Sequence, residues 1–253
     1  MKIYFLILYF FTYGLLGWMT EVAYAAVVER KFVNRGFLNG PICPIYGVGV
    51  SVVLYFLTPL SDNLLLLYLA STILVTVLEG LTGYVMDRIF HHKWWDYTNR
   101  PFNIGGYVCL LFSLVWGVAC VFIVKLLHPG IHKALSWIPV PAGIVLIVIL
   151  SVALFVDLYV TASAILKLNR RLERLEEIAG ELRELSDRMG ENIYENVVGT
   201  VEPRILDLKQ RYEEIAAQRG KVSRRLVKAF PKMESRLHKD ILEELKARIK
   251  DRL

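Results

Sequence analysis

Three acidic residues, Glu21, Glu79 and Asp157, lie inside long apolar stretches of the sequence. Each falls 16 or 18 residues from the start of its stretch, which places it roughly 24–27 Å into a membrane core of ~30 Å. A carboxylate costs up to ~3 kcal/mol at mid-bilayer and less near the interface. Two interpretations stay open: the three carboxylates face one shared polar cavity, or each reaches interfacial water.

Residues 34–49 join two of these stretches and contain two prolines and four glycines, which cannot continue a regular helix cheaply. They predict that the chain enters the membrane level in a non-helical or broken form, which is tolerated only where it is buried in protein or lines water. A plain turn before a helix that starts at a proline is the alternative. The candidate substrate-binding or gating residues here are Asn34, Arg35, Asn39 and Tyr46.

Residues 87–103 mix aromatic and basic side chains. This composition is typical of an interfacial belt, but it also suits a lid over a substrate or a lipid head group. We select Trp95, Asp96, Tyr97 and Asn103 as further candidate gating residues.

Motifs of known chemistry are missing from the sequence. It has no P-loop, no Gly-x-Ser-x-Gly elbow and no His-Glu-x-x-His zinc motif. Adjacent residues His91 and His92 would point apart on a helix, and His128 and His132 have no further partner. We therefore predict no catalytic residue, no metal site and no cofactor, and an enzyme is the less favoured class.

Charge is distributed very unevenly along the chain. Residues 1–166 hold 16 charged residues, whereas the 87 residues from 167 to 253 hold 38. The first part is too apolar for a water-soluble domain and the second is too charged for a bilayer, which excludes a secreted enzyme, a soluble single-domain enzyme and a disordered chain. Acids match the basic residues of the tail almost one for one, so nucleic acid is not an expected partner.

The predicted fold is all-α: a polytopic membrane domain over residues 1–166 and a helical tail over residues 167–253. Its five transmembrane helices are expected at 3–28, 42–60, 63–86, 104–127 and 139–166. The intervening segments on one side, with the tail, hold 27 Lys and Arg against three on the other. The positive-inside rule then places the tail in the cytoplasm and the N-terminus outside, in the cell's inner membrane.

Residues 23–25 (Ala-Tyr-Ala) resemble a signal-peptide cleavage site. Cleavage would leave the basic tail outside, against the charge rule, so we expect the first span to be retained.

In the tail, apolar residues recur every three or four positions, and Pro203 and Pro231 are expected to divide it into three helices. This spacing predicts amphipathic or coiled-coil helices. Self-packing, self-association and docking on a partner all remain open.

Several motifs are also similar to those of a known family. They are Gly-Trp-Met-Thr-Glu-Val at 17–22, Asn-Arg-Gly-Phe-Leu at 34–38, Gly-Pro-Ile-Cys-Pro-Ile-Tyr-Gly at 40–47, Glu79, Trp-Asp-Tyr at 95–97, Asn-Ile at 103–104 and Ser-Leu-Val-Trp-Gly at 113–117. Over about residues 5–130 the chain resembles the bacterial family named "putative ABC-transporter type IV", the CmpB-like permeases. The resemblance implies a permease subunit in the lipid bilayer, with a separate ATPase subunit as a candidate partner.

Three functional hypotheses follow. The leading one is a permease-like membrane component with a polar site at the cytoplasmic leaflet, formed by the three carboxylates and gated by the two loops. The second is a non-catalytic scaffold that recruits a partner through its tail. The third is a membrane-embedded enzyme acting on a lipid or head group, with Glu21 or Glu79 as general base.

The orientation can be tested with reporter fusions. We expect fusions after Arg35, Arg100 and Leu253 to read cytoplasmic and a fusion after Lys133 to read external, because the basic segments stay inside. An external reading at Leu253 would overturn the depth argument for the three carboxylates.

Overall fold

The computed structural model describes residues 3–30, 32–191, 198–218 and 220–250 and is 79% helical, which confirms the nearly all-α fold. The helices of the described residues are α1 (Ile3–Glu29), α2 (Pro44–Leu57), α3 (Leu64–Phe90), α4 (Leu110–Phe122), α5 (His128–Ser136), α6 (Val140–Glu191), α7 (Val198–Ala217), α8 (Lys221–Ala229) and α9 (Lys239–Lys250). Four two-residue strands accompany them: β1 (His92–Lys93), β2 (Asn103–Ile104), β3 (Val108–Cys109) and β4 (Glu234–Ser235).

Within the part of the chain that the structure describes, four helical segments are long and apolar enough to cross a membrane: Ile3–Val28, Leu64–Phe90, Leu110–Ser136 and Val140–Asp187. The remaining predicted span is helical only over Pro44–Leu60. At 1.5 Å per residue that helix covers about 25 Å, less than the ~30 Å hydrocarbon core.

The predicted second span consists of a non-helical segment followed by this short helix. The Cys43 N–H donates to the Gly14 carbonyl at 2.9 Å, so α2 begins beside the middle of α1. Residues 32–43, which lead to this point, form no helix, as their glycines and prolines predict. Gly47 makes the close approach possible, since a Cβ on it would lie 2.3 Å from the Phe10 carbonyl oxygen.

Two predicted boundaries differ from the structure around α4. The helix starts at Leu110 instead of residue 104, because residues 103–109 form the hairpin β2–β3, with positive φ at Gly105 and Gly106. At its other end the helix continues to Ser136 through a π-helical turn, Ile123–Leu127. The wider turn accommodates Pro129, which lacks an N–H and would clash with the carbonyl four residues earlier.

The tail departs from prediction at one proline. Pro203 lies inside α7, where it removes one intrahelical hydrogen bond, whereas residues 192–197, between α6 and α7, lie outside the described residues. Pro231 follows the end of α8, as predicted. Helix α6 runs without interruption across the predicted domain boundary after residue 166, and α7 folds back along it, with Arg171 Nη2 donating to the Ala216 carbonyl at 2.6 Å.

The base of the tail packs against one end of the helical bundle, which we call the tail end. A single hydrophobic core joins α3, the segment after it, α6, α8 and α9; its buried members include Phe90, Trp94, Ile165, Leu172, Leu226 and Leu242. Strand β1 pairs with β4 of the tail in antiparallel register. A second core of α1, α2, α3 and α4 lies nearer the opposite, or far, end.

Truncating a leucine of the tail-end core should release the tail. Leu226 is 1% exposed, whereas Leu237 is 61% exposed. Leu226→Ala should cost about 2–5 kcal/mol of docking free energy and accelerate tryptic cleavage between residues 167 and 253 about 30-fold or more in membrane vesicles. The control Leu237→Ala should cleave at the wild-type rate, and equal rates for both variants would contradict the observed packing.

Candidate functional site

Glu21, on α1, accepts a hydrogen bond from Tyr46 and forms an ion pair with Arg35. The Tyr46 hydroxyl donates to Glu21 Oε1 at 2.6 Å, and Arg35 Nε lies 3.5 Å from Glu21 Oε2. Tyr46 stands in the first turn of α2, and its ring lies directly against Gly17 of α1. The non-helical segment before α2, together with the start of α2, therefore brings both partners to the carboxylate.

Glu79, on α3, is the more deeply buried of the two carboxylates, at 8% exposure. The Tyr97 hydroxyl donates to its Oε1 at 3.4 Å, and the Trp116 side chain faces the carboxylate. Its Oε2 is buried without a hydrogen-bond partner among the described residues. No described cation pairs with it.

Aromatic residues link these two carboxylates. The rings of Tyr46 and Trp116 meet edge to face with centroids 6.0 Å apart, and Tyr97 lies within electrostatic range of both Glu21 and Glu79. We call Glu21, Arg35, Tyr46, Glu79, Tyr97 and Trp116 the polar cluster. Five of these six residues are among those selected from the sequence.

Asp157 lies in a separate network. Its Oδ1 accepts hydrogen bonds from the backbone N–H and Nδ2 of Asn39 at 3.1 and 2.7 Å, and its Oδ2 accepts one from the Gly40 N–H at 2.7 Å. Asn39 Nδ2 also donates to Thr161 Oγ1 at 3.0 Å. Within the described residues, no hydrogen bond joins Asp157 to Glu21 or Glu79, so this carboxylate anchors the non-helical segment.

Asn34 folds the start of the same segment. Its Oδ1 accepts from Trp18 Nε1 at 2.8 Å and from the Gly36 N–H at 3.0 Å, and its Nδ2 donates to the Asn39 carbonyl at 2.9 Å. Asn34 and Asn39 thus shape the backbone that carries Arg35 between them.

In the segment between α3 and α4, Tyr97 is the selected residue that reaches the polar cluster. Trp95 Nε1 donates to the Tyr107 carbonyl at 2.8 Å, and Asn103 Nδ2 donates to the Arg100 carbonyl at 2.8 Å. Burial tends to raise the pKa of Asp96, but hydrogen bonds from Thr98 and the nearby Lys93 ammonium outweigh it and hold the pKa below its usual range. These side chains stabilise the turns that present Tyr97.

Arg225, in the tail helix α8, was not selected from the sequence but contacts the non-helical segment directly. Its guanidinium donates to the carbonyls of Gly36 and Phe37 at 2.8 and 2.7 Å and to Asn39 Oδ1 at 3.0 Å. More than 180 positions separate these residues, so no local pattern could have indicated the contact.

A second tail contact surrounds Asp87, near the end of α3. Arg236 Nη2 lies 2.6 Å from its Oδ2, and the Tyr107 hydroxyl donates to the same oxygen at 2.5 Å. Beside it, His92 is fully buried and its Nε2 lies 2.7 Å from Asn169 Oδ1.

The histidines at the far end contact tyrosines. His128 Nδ1 lies 3.1 Å from the Tyr13 hydroxyl and His132 Nδ1 lies 2.5 Å from the Tyr9 hydroxyl. The described part of the chain contains no group of three His, Cys, Asp or Glu residues that could hold a metal ion.

A family model described as "Putative ABC-transporter type IV" matches residues 8–162. The chain belongs to this family. The match extends beyond the predicted limit of about residue 130 and takes in Asp157 and Thr161, whereas α7, α8 and α9 lie outside it. No curated protein matches the chain, and no solved structure does.

Tail docking should weaken on acidification through His92. Burial lowers the pKa of His92. Its hydrogen bonds with Asn169 and the Glu234 backbone and the nearby Asp87 carboxylate act to raise that pKa, but burial outweighs them. Once the tail is released, the pKa of His92 returns to about 6.5, the value of an exposed histidine. Above that pH His92 is neutral in both states and tail docking has its full free energy. As the pH falls below it, the released state gains a proton that the docked state resists, so docking weakens. Between pH 7.5 and 5.5, the rate of tail release by trypsin, divided at each pH by the rate at which trypsin cleaves a reference peptide, should increase up to about tenfold.

The matched variants are His92→Gln and His91→Asn, because the neighbouring His91 is exposed. His92→Gln should lose most of the pH dependence and His91→Asn should retain it. An unchanged pH dependence in His92→Gln would assign the effect to other groups.

Proposed function

We propose that this protein is a permease-like membrane component of ABC-transporter type, and that its polar cluster is the site through which substrate passes or at which it binds. Family membership supports the first part of the proposal. The observation that carries the second is Glu79: a buried carboxylate with one oxygen that has no hydrogen-bond partner among the described residues, linked to the paired carboxylate of Glu21 through the side chains of Trp116 and Tyr46. Ionisable groups at such depth are expensive and are characteristic of transport pathways.

The two carboxylates offer different chemistry. Glu21 is compensated by Arg35 and by the Tyr46 hydroxyl, so it can release either partner to a substrate. Glu79 presents a buried oxygen, Oε2, that accepts no hydrogen bond of normal geometry from the described residues, although the Trp116 side chain faces the carboxylate. A polar substrate with hydrogen-bond donors, or a cation, matches these two carboxylates because it supplies a partner for the Oε2 atom of Glu79.

Two segments are placed to act as the gate at the tail end. Residues 34–43 carry Arg35 and lead to Tyr46, and the segment between α3 and α4 carries Tyr97. Each contacts a carboxylate of the polar cluster, so movement of either segment would change the hydrogen bonding of the site. The charge distribution supports a cytoplasmic location for this end, with the N-terminus outside.

The scaffold hypothesis is supported by a different observation. Between residues 176 and 187 no side chain of α6 is buried, and this length of helix continues beyond the tail-end core. A partner protein, including an ATPase subunit, would find an accessible amphipathic surface there.

The transport proposal is tested by neutralising the carboxylates. Glu21→Gln and Glu79→Gln keep the side-chain shape and remove the charge, and each should reduce transport about tenfold or more, given the usual value of hydrogen bonds to charged groups. Transport is measured by comparing metabolites in a deletion strain complemented with wild type or variant at equal membrane levels. A compound whose distribution is restored by wild type identifies the substrate.

Glu202→Gln is the matched control, because Glu202 is exposed on α7, outside both the polar cluster and residues 176–187, and should retain full activity. Asp157→Asn should reduce activity through the non-helical segment. Full activity of both Glu21→Gln and Glu79→Gln would overturn the polar cluster as a transport site. If instead the purified chain converts a lipid, the enzyme hypothesis replaces the permease.

A further inference from the structure

A partly open cavity of about 90 Å³ lies in the tail, where α6, α7, α8 and α9 meet. We call it the tail cavity. Apolar side chains form much of its wall, among them Leu168, Val227 and Leu242. Three arginines also line it: Arg171, Arg224 and Arg248. The cavity lies outside the polar cluster and outside the segment that matches the family.

Arg171 has a guanidinium that its surroundings do not satisfy. Nη2 donates to the Ala216 carbonyl at 2.6 Å, but Nε is buried without any hydrogen-bond partner. No carboxylate among the described residues forms an ion pair with Arg171. A partly buried, unpaired charge is costly, and each such group in a folded protein calls for an explanation.

Arg224 is the second cation without an ion pair among the described residues. It stands in the first turn of α8, next to Ser223, whose Oγ makes only a long 3.4 Å hydrogen bond to the Ala164 carbonyl. The N-cap residue Gly220 provides no side-chain cap, so amides of this turn remain available to an anion.

Arg248 differs from these two because it is already neutralised. Its Nη1 and Nη2 lie 2.7 and 2.8 Å from the carboxylate of Glu213, and its Nε lies 2.9 Å from Glu244 Oε1. It closes the wall of the cavity without requiring a ligand. The uncompensated charge of the cavity is therefore positive.

We propose that the tail cavity binds a phosphate group, with Arg171 and Arg224 as charge partners and Ser223 and the first turn of α8 as hydrogen-bond donors. One water needs only ~10–15 Å³ of such space, so the cavity is large enough for an anion of several heavy atoms. Arginine is the side chain best suited to phosphate. This inference is independent of the proposed transport function.

The phosphate group can belong to a phospholipid or to a soluble molecule. Ser223 contacts α6 at Ala164, close to the apolar part of that helix, so a phospholipid head group lies within reach of the cavity. A soluble phosphate can enter from the open side. The apolar wall is compatible with either.

The experiment measures thermal unfolding of the full chain. The protein in detergent is titrated with inorganic phosphate, with sodium chloride at equal ionic strength as reference, and the protein in nanodiscs is compared between phosphatidylcholine alone and a mixture with phosphatidylglycerol. Stabilisation by inorganic phosphate indicates a soluble source, and stabilisation by phosphatidylglycerol alone indicates a lipid. Binding is confirmed by the ³¹P NMR signal of the phosphate.

Arg171→Gln and Arg224→Gln should each weaken phosphate binding about tenfold or more. Arg224→Gln keeps the test valid if Arg171→Gln fails to fold, since the Arg224 side chain makes no hydrogen bond or ion pair in the described structure. The control is Arg211→Gln, because Arg211 is exposed and paired with Asp207 away from the cavity. No response to either phosphate source, or an equal response in Arg224→Gln and Arg211→Gln, would overturn the site.

Discussion

Non-helical backbone inside an apolar bundle must find partners for its N–H and C=O groups, and the candidate site depends on how residues 32–43 find theirs. The Asp157 carboxylate accepts the amides of Asn39 and Gly40. The Cys43 amide donates to the Gly14 carbonyl, which fixes where α2 begins. Tyr46 follows within one turn, so its hydroxyl reaches Glu21. The ion pair on Glu21 is thus a consequence of the backbone bonding around it.

The tail completes this bonding. Arg225 covers the carbonyls of Gly36 and Phe37 with two N–H groups of one guanidinium, a fixed fork that a lysine could not reproduce. The pair of Asp87 with Arg236 and the pairing of β1 with β4 hold the same part of the tail in place. The chain therefore uses its charged segment to satisfy groups at the end of its apolar segment.

Sequence patterns revealed the features that depend on local composition. Apolar stretches located the long helices, and glycines with prolines indicated the broken entry before α2. The predicted common depth of Glu21, Glu79 and Asp157 did not indicate which side chains each carboxylate contacts, because depth leaves the facing direction of each helix undetermined. Local patterns could not indicate distant contacts such as the one between Arg225 and Gly36. They also did not indicate the π-helical turn before Pro129, which lets the helix continue past a residue that usually ends one.

Helix α8 joins two parts of the molecule that sequence analysis treated separately. Neighbouring residues on a helix point about 100° apart, so α8 presents Arg224 to the tail cavity and Arg225 to the non-helical segment. Arg225 donates there to the carbonyls of Gly36 and Phe37 and to Asn39 Oδ1. Arg35, the ion-pair partner of Glu21, directly precedes Gly36 in the chain. The proposed anion site and the polar cluster are in this way connected through one short helix.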